Sequence, residues 1–134
     1  MIRIVIALVL LAHGIGHSMG LLQMLKVSVV NPGWQGDSWL LTGSAGTTIT
    51  QVVGIGLWSA AIVGFAALAG TVVGWLPAAW FTPLAIAAPL ASLAGLFLFP
   101  LAFPAFSTLG ALVVDVAVLL AAVWYHWLPT DLAA

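Results

Sequence analysis

Four apolar runs, each about as long as a bilayer is thick, occupy most of this sequence and leave very few ways to fold it. A helix crossing a hydrocarbon core needs about 20 mostly apolar residues, and the runs cover residues 3–25, 47–70, 78–99 and 105–127. Turn signals separate them. Lys26, Asn31, Pro32-Gly33 and Gly36-Asp37 follow the first run, Gly74 and Pro77 the second, Pro100 and Pro104 the third, and Pro129 the fourth. Thr47, Thr48 and Thr50, with Gln51, can cap the start of the second helix. Pro89, near the middle of the third run, is expected to kink it.

Charge content closes off the soluble alternative. The 134 residues are 64% hydrophobic and 4% charged, with two Lys or Arg, three Asp and no Glu; soluble domains carry about 25% charged residues. The mean hydropathy is +1.29. So few charges cannot coat a water-soluble surface, and the predicted fold is an all-α, four-helix transmembrane bundle, one domain over residues 1–134, with the lipid bilayer as its first partner. A net charge of −1 leaves no basic stripe for phosphates, which excludes nucleic acid as a direct partner. The absence of Cys removes thiol redox chemistry, Cys-ligated zinc and iron–sulfur clusters. No glycine-rich phosphate loop and no Ser-His-Asp set is visible, so an independent enzyme is not expected.

Tryptophans collect at membrane interfaces. Trp75 and Trp80 flank the loop after the second run, Trp124 and Trp127 close the fourth, and Trp34 and Trp39 lie in the first loop, so all six read as interfacial anchors, with the first loop on the opposite side from the others. His126 sits in the same C-terminal patch and reads as part of the anchor. Trp58 alone falls near mid-span. Arg3 and Lys26 say little about orientation; the N-terminus inside is the weak preference. Residues 1–11 also carry the positive residue and apolar core of a secretory signal, but two histidines in the run and the lack of a small-x-small site argue for retention.

Ionisable residues in mid-span are costly and face the bundle interior. His13 and His17 stand four apart, on one face of the first helix and one turn from each other. Asp115 falls halfway down the fourth helix, at similar depth, and Ser59 and Ser92 bring hydroxyls from the second and third to that level. Three readings fit these residues. They form an interhelical hydrogen-bond network; or His13, His17 and Asp115 hold a metal ion or hydrogen-bond a lipid-soluble carbonyl compound such as a quinone; or Asp115 cycles its proton in a small oligomeric transporter. Bis-His haem ligation would require His126, about 11 residues and ~16 Å of helix beyond Asp115, and is disfavoured. No particular cofactor is indicated. Small residues at helical spacing, Gly16 and Gly20 among them, read as helix-packing positions or as a self-association face.

The segment Leu11 to Gly20 resembles the opening of a group of short bacterial membrane proteins, themselves uncharacterised, whose first helix reads Leu-His-Gly-x-x-His-x-x-Gly; the match covers His13, Gly14, His17 and Gly20. Their last helix often begins Phe-Gly-Thr-Leu, similar to Phe106-Ser107-Thr108-Leu109 here. Members often carry Asn shortly after that motif, where this chain has Ala111. The resemblance implies four spans in a bacterial cytoplasmic membrane and no particular activity. With almost nothing outside the bilayer to act with, the chain is expected to be an accessory subunit or binding module, associating with other membrane chains or with itself.

Overall fold

In hydrocarbon, backbone N–H and C=O groups must find partners within their own segment or barrel, and this chain does so as helix. The computed structural model describes residues 1–27 and 31–132. Its α-helices are α1 (Ile2–Gly16), α2 (Ser18–Met24), α3 (Leu41–Val73), α4 (Phe81–Leu98) and α5 (Ala105–Leu119), with no strand among the described residues. Four segments are long and apolar enough to cross a membrane: Ile2–Met24, Leu41–Val73, Ala78–Leu98 and Ala105–Trp124. This is the all-α, four-helix architecture expected from the hydropathy.

Element boundaries shift for local reasons. The first span is divided between α1 and α2 at His17, whose N–H reaches back three residues to Gly14 O (3.1 Å) and tightens the turn. α3 starts six residues earlier than the threonines suggest. Gly46 interrupts it with φ 86° and ψ 167°, a conformation open to glycine, so the uninterrupted helix does resume at Thr47. Ser38 and Thr42 hold the early turn, Ser38 N–H donating to Thr42 Oγ1 (2.8 Å) and Leu41 N–H to Ser38 Oγ (3.3 Å). Gln51 does not cap α3; its Nε2 donates to Met24 O (2.9 Å) and ties α3 to the end of α2. Gly74, at φ 82°, closes α3 by letting Trp75 N–H reach Gly70 O (2.9 Å). α4 continues through Pro89 without a break. Past Leu119 the helix widens into a π turn, Leu120–Trp124.

Because lipid tails are as apolar as the side chains, close van der Waals fit drives helix association here. α3 is the hub, with α1 and α2 on one flank and α4 on another, while α5 leans chiefly on α4. Glycines serve as sockets for neighbouring side chains. A β-carbon on Gly95 would stand 2.6 Å from the Trp58 ring, one on Gly14 3.0 Å from Phe65 Cβ, and one on Gly20 2.9 Å from Phe103. Gly16 is different: it is exposed and nothing lies within 4 Å of where its β-carbon would be. The pair is therefore split, Gly20 packing inside the bundle and Gly16 outside it, because the tightened turn at His17 lies between them. At the α3–α4 crossing a β-carbon on Gly64 would come 2.7 Å from Ala88 Cβ and 3.3 Å from Ala88 Cα. No flexible side chain is there to yield, so Gly64→Val is expected to cost about 1 to 3 kcal/mol, read as a lower unfolding midpoint in detergent.

Chain ends and loops sort to two ends of the bundle. Arg3 Nη2 donates to Pro129 O (2.7 Å), and Phe81 meets Trp127 edge to face (5.2 Å), which brings the N-terminus, the α3–α4 connection and the C-terminal segment together. The first loop sits at the other end, where Trp39 Nε1 donates to Phe97 O (2.8 Å) and satisfies a carbonyl in the last turn of α4. Trp39, Trp75, Trp80 and Trp124 are exposed, as anchors would be. Trp34 is not. It is 3% exposed, packed against Phe99 with its Nε1 donating to Asp37 O, and it plugs the core beneath the loop. Trp127 is half-buried against Phe81.

Asp115 is the one buried residue of α5. Along α1 the helix does not close up: an apolar groove of about 440 Å³ separates Val5, Val9 and Leu10 from Val113, Ala117 and Ala121. Further along the same seam lies a second opening, which belongs to the site.

Candidate functional site

Helical periodicity carries His13 and His17 to the inner face of the first span, and the tight packing of Gly14 against Phe65 sets α1 close enough to α3 to bury them. The two imidazoles meet at 3.3 Å, Nε2 to Nε2. From α5, Asp115 Oδ1 lies 2.9 Å from His13 Nε2. From α4, Ser92 Oγ donates to Asp115 Oδ2 at 2.6 Å and lies 3.0 Å from His17 Nε2. Asp115 and Ser92 are fully buried and His17 is 3% exposed. Four side chains from three spans thus close a ring of polar contacts.

Aromatic rings wall this cluster. Phe65 stands edge-on to His13 (4.4 Å between centroids), Trp58 stacks on His17 (5.6 Å, 16° between planes), and Phe103 meets His17 at 6.1 Å. Trp58 is itself sealed, and its indole N–H has no hydrogen-bond partner among the described residues. On the α5 side the imidazoles border a pocket of about 320 Å³, lined also by Gly16, Met19, Phe103, Pro104, Ser107 and Ala111. That volume is at the lower end of small-molecule sites.

Proton counting exposes a conflict in the ring. An imidazole nitrogen carries either one proton or one in-plane lone pair. Ser92 donates its only proton to Asp115, so it can only accept from His17, and His17 Nε2 must be the protonated nitrogen. If His13 Nε2 donates to Asp115 Oδ1, two N–H groups then face each other at 3.3 Å. If it accepts instead, a single lone pair must take protons from both His17 and a protonated Asp115. The four contacts cannot all be hydrogen bonds at once. Nor is the wiring that of a nucleophilic triad, although Ser, His and Asp do come together, a set that is not apparent along the chain. Ser92 approaches His17 while Asp115 pairs with His13, so no single imidazole links the hydroxyl to the carboxylate.

Of the residues expected here, His13, His17, Asp115 and Ser92 converge. Ser59 does not. It is half-buried and makes no hydrogen bond among the described residues; its neighbour Trp58 takes the inward position, and one residue further along a helix is a turn of about 100°. His126 lies exposed past the π turn, with φ 48°, apart from the cluster, so it does not pair with His13 or His17 across a haem. Phe65 and Phe103 carried no sequence signal beyond hydrophobicity. Trp58 did carry one, as the only tryptophan away from an interface. Gln23 was also missed: buried at the end of α2, its Nε2 donates to Asn31 O (3.0 Å) and Trp34 O (2.8 Å) and pins the first loop. Compared with known proteins, the chain matches no family model, no curated protein and no solved structure.

Proposed function

We propose that this chain is a small multi-pass module of a bacterial cytoplasmic membrane that holds a lipid-soluble ligand beside His13 and His17 and docks, within the bilayer, against other membrane chains. The observation that carries the reading is the position of the two imidazoles, which are fixed from behind by Asp115 and Ser92 and open in front onto the 320 Å³ pocket. Neither ring's Nδ1 has a hydrogen bond among the described residues, and both rings line the pocket. The pocket lies between apolar helices, suited to a ligand that arrives through the membrane. Docking on other chains is supported by the sparse packing of α5 within this chain, since Asp115 is its one buried residue.

Purification from native membranes in mild detergent, followed by identification of co-purifying chains and extraction of bound small molecules, tests both parts. A bound lipophile is expected, and Gly16→Phe should expel it. Gly16 borders the pocket with open space where a side chain would grow, so the variant should fill the cavity and keep the wild-type unfolding midpoint. A monodisperse protein with neither partner chain nor extractable ligand would overturn the proposal.

A further inference from the structure

The conflict between the two imidazoles has a chemical solution, and it deepens the binding reading on which it rests, that the cluster is the ligand-holding element. We propose that His13, His17 and Asp115 bind one divalent first-row transition-metal ion, with the fourth coordination position facing the pocket. His13 Nε2, His17 Nε2 and a carboxylate oxygen of Asp115 all lie within 4.8 Å of one another. A cation between them accepts a lone pair from each, which relieves the His13–His17 clash, while the approach of Ser92 to His17 then carries no proton because Ser92 donates to Asp115. Each imidazole then keeps its proton on Nδ1, the atom left without a protein partner.

The imidazole pair has the spacing of two ligands of one ion, whereas the three donor atoms together span up to 4.8 Å, so Asp115 must close in when an ion binds. Two nitrogens bound tetrahedrally at about 2.0 to 2.1 Å from zinc stand about 3.3 Å apart, and the imidazole nitrogens are 3.3 Å apart. Ser92, donating to Asp115 Oδ2 at 2.6 Å, is the kind of outer partner that orients a carboxylate ligand. Two imidazoles and one carboxylate suit zinc, cobalt, nickel or copper better than magnesium or calcium, which take all-oxygen sites. Charge points to the fourth ligand. A +2 ion with one carboxylate leaves a net +1 in a water-poor interior, so the pocket is expected to supply an anionic donor, such as a hydroxide or the ionised hydroxyl of an acidic lipophile. Besides the two imidazoles, only Met19 and Ser107 on the pocket wall carry a side-chain donor atom.

The test is a titration of chelator-stripped, lipid-extracted full-length protein in detergent with Co²⁺ alone. One equivalent should bind and produce the intense visible bands of tetrahedral cobalt, and Zn²⁺ should displace it and abolish them. Asp115→Asn, which can keep bonds to Ser92 and His13 through its amide, should retain the fold by circular dichroism and weaken Co²⁺ at least about tenfold. His17→Gln should do the same. A folded wild-type protein that binds no Co²⁺, or binds it equally in both variants, would overturn the metal assignment; a lipophile that still co-purifies and is expelled by Gly16→Phe would in that case leave the binding module standing. Conversely, stoichiometric cobalt in a protein that never yields a lipophile or partner would support the metal site while removing the ligand and docking proposal.

Discussion

Replacing Trp58 by alanine is expected to destabilise the bundle by about 3 to 5 kcal/mol, the range for large buried aromatics, while phenylalanine at the same position, which leaves a smaller cavity, should cost about half as much or less. The contrast follows from the surroundings. The indole fills a space bounded by Gly20, Gly95, His17, Phe99 and Phe103, and the glycines are there because no other residue would leave it room. Alanine empties that space in the middle of α3, where no neighbour can collapse into it without breaking the α3–α4 crossing. Phenylalanine keeps most of the ring contacts and loses only an N–H that has no acceptor among the described residues, so no hydrogen bond is forfeited. Unfolding in graded mixtures of denaturing and mild detergent, followed by circular dichroism, would measure both. Equal losses in the two variants would show that the indole N–H has a partner after all.

The second large effect is expected at Asp115. Asp115→Leu should lower stability by about 2 to 3 kcal/mol, because it removes the acceptor of Ser92 and the partner of His13 together, at roughly 1 kcal/mol or more for each buried interhelical bond. Nothing else on α5 is buried, so the helix has little packing with which to compensate, and protease sensitivity of the segment around Pro104 should rise in parallel. Asp115→Asn should be nearly silent in melting, since the amide can accept from Ser92 with its oxygen and donate to a His13 lone pair with its nitrogen. The same variant separates the competing transporter reading. A proton flux into proteoliposomes that vanishes in Asp115→Asn, with melting unchanged, would make this residue a cycling acid and displace the structural role argued for it here.

Depth was legible in the sequence and rotation was not. Run lengths and turn residues located the span centres, and the centres put His13, His17, Ser92 and Asp115 at one level, where the structure joins them. Ser59 shares that level and faces elsewhere. The reason is physical: a helix that is apolar on every side has no hydrophobic stripe to say which side is inward, so only spacing within one helix, as between His13 and His17, can fix a common face. Gly16 and Gly20 meet different surroundings for a related reason, since a four-residue interval predicts one face only while the helix stays regular, and the turn at His17 is not. Trp34 followed the interfacial habit of its residue type until Gln23 and Asn31 drew the loop down over the core.

That α5 buries a single side chain has a bearing on how the molecule is made. Helices enter the bilayer in chain order and associate afterwards, so α1 to α4 can already be assembled while α5 is still being synthesised. During that interval the histidines and Ser92 lack their carboxylate partner, and the polar cluster is incomplete. Its completion coincides with the arrival of the last span, recruited by one buried side chain and its two polar contacts rather than by a broad interface. The polar cluster is therefore complete only once the final helix is in place, and an α5 held by one buried side chain is the span most open to interception by a neighbouring chain during biogenesis.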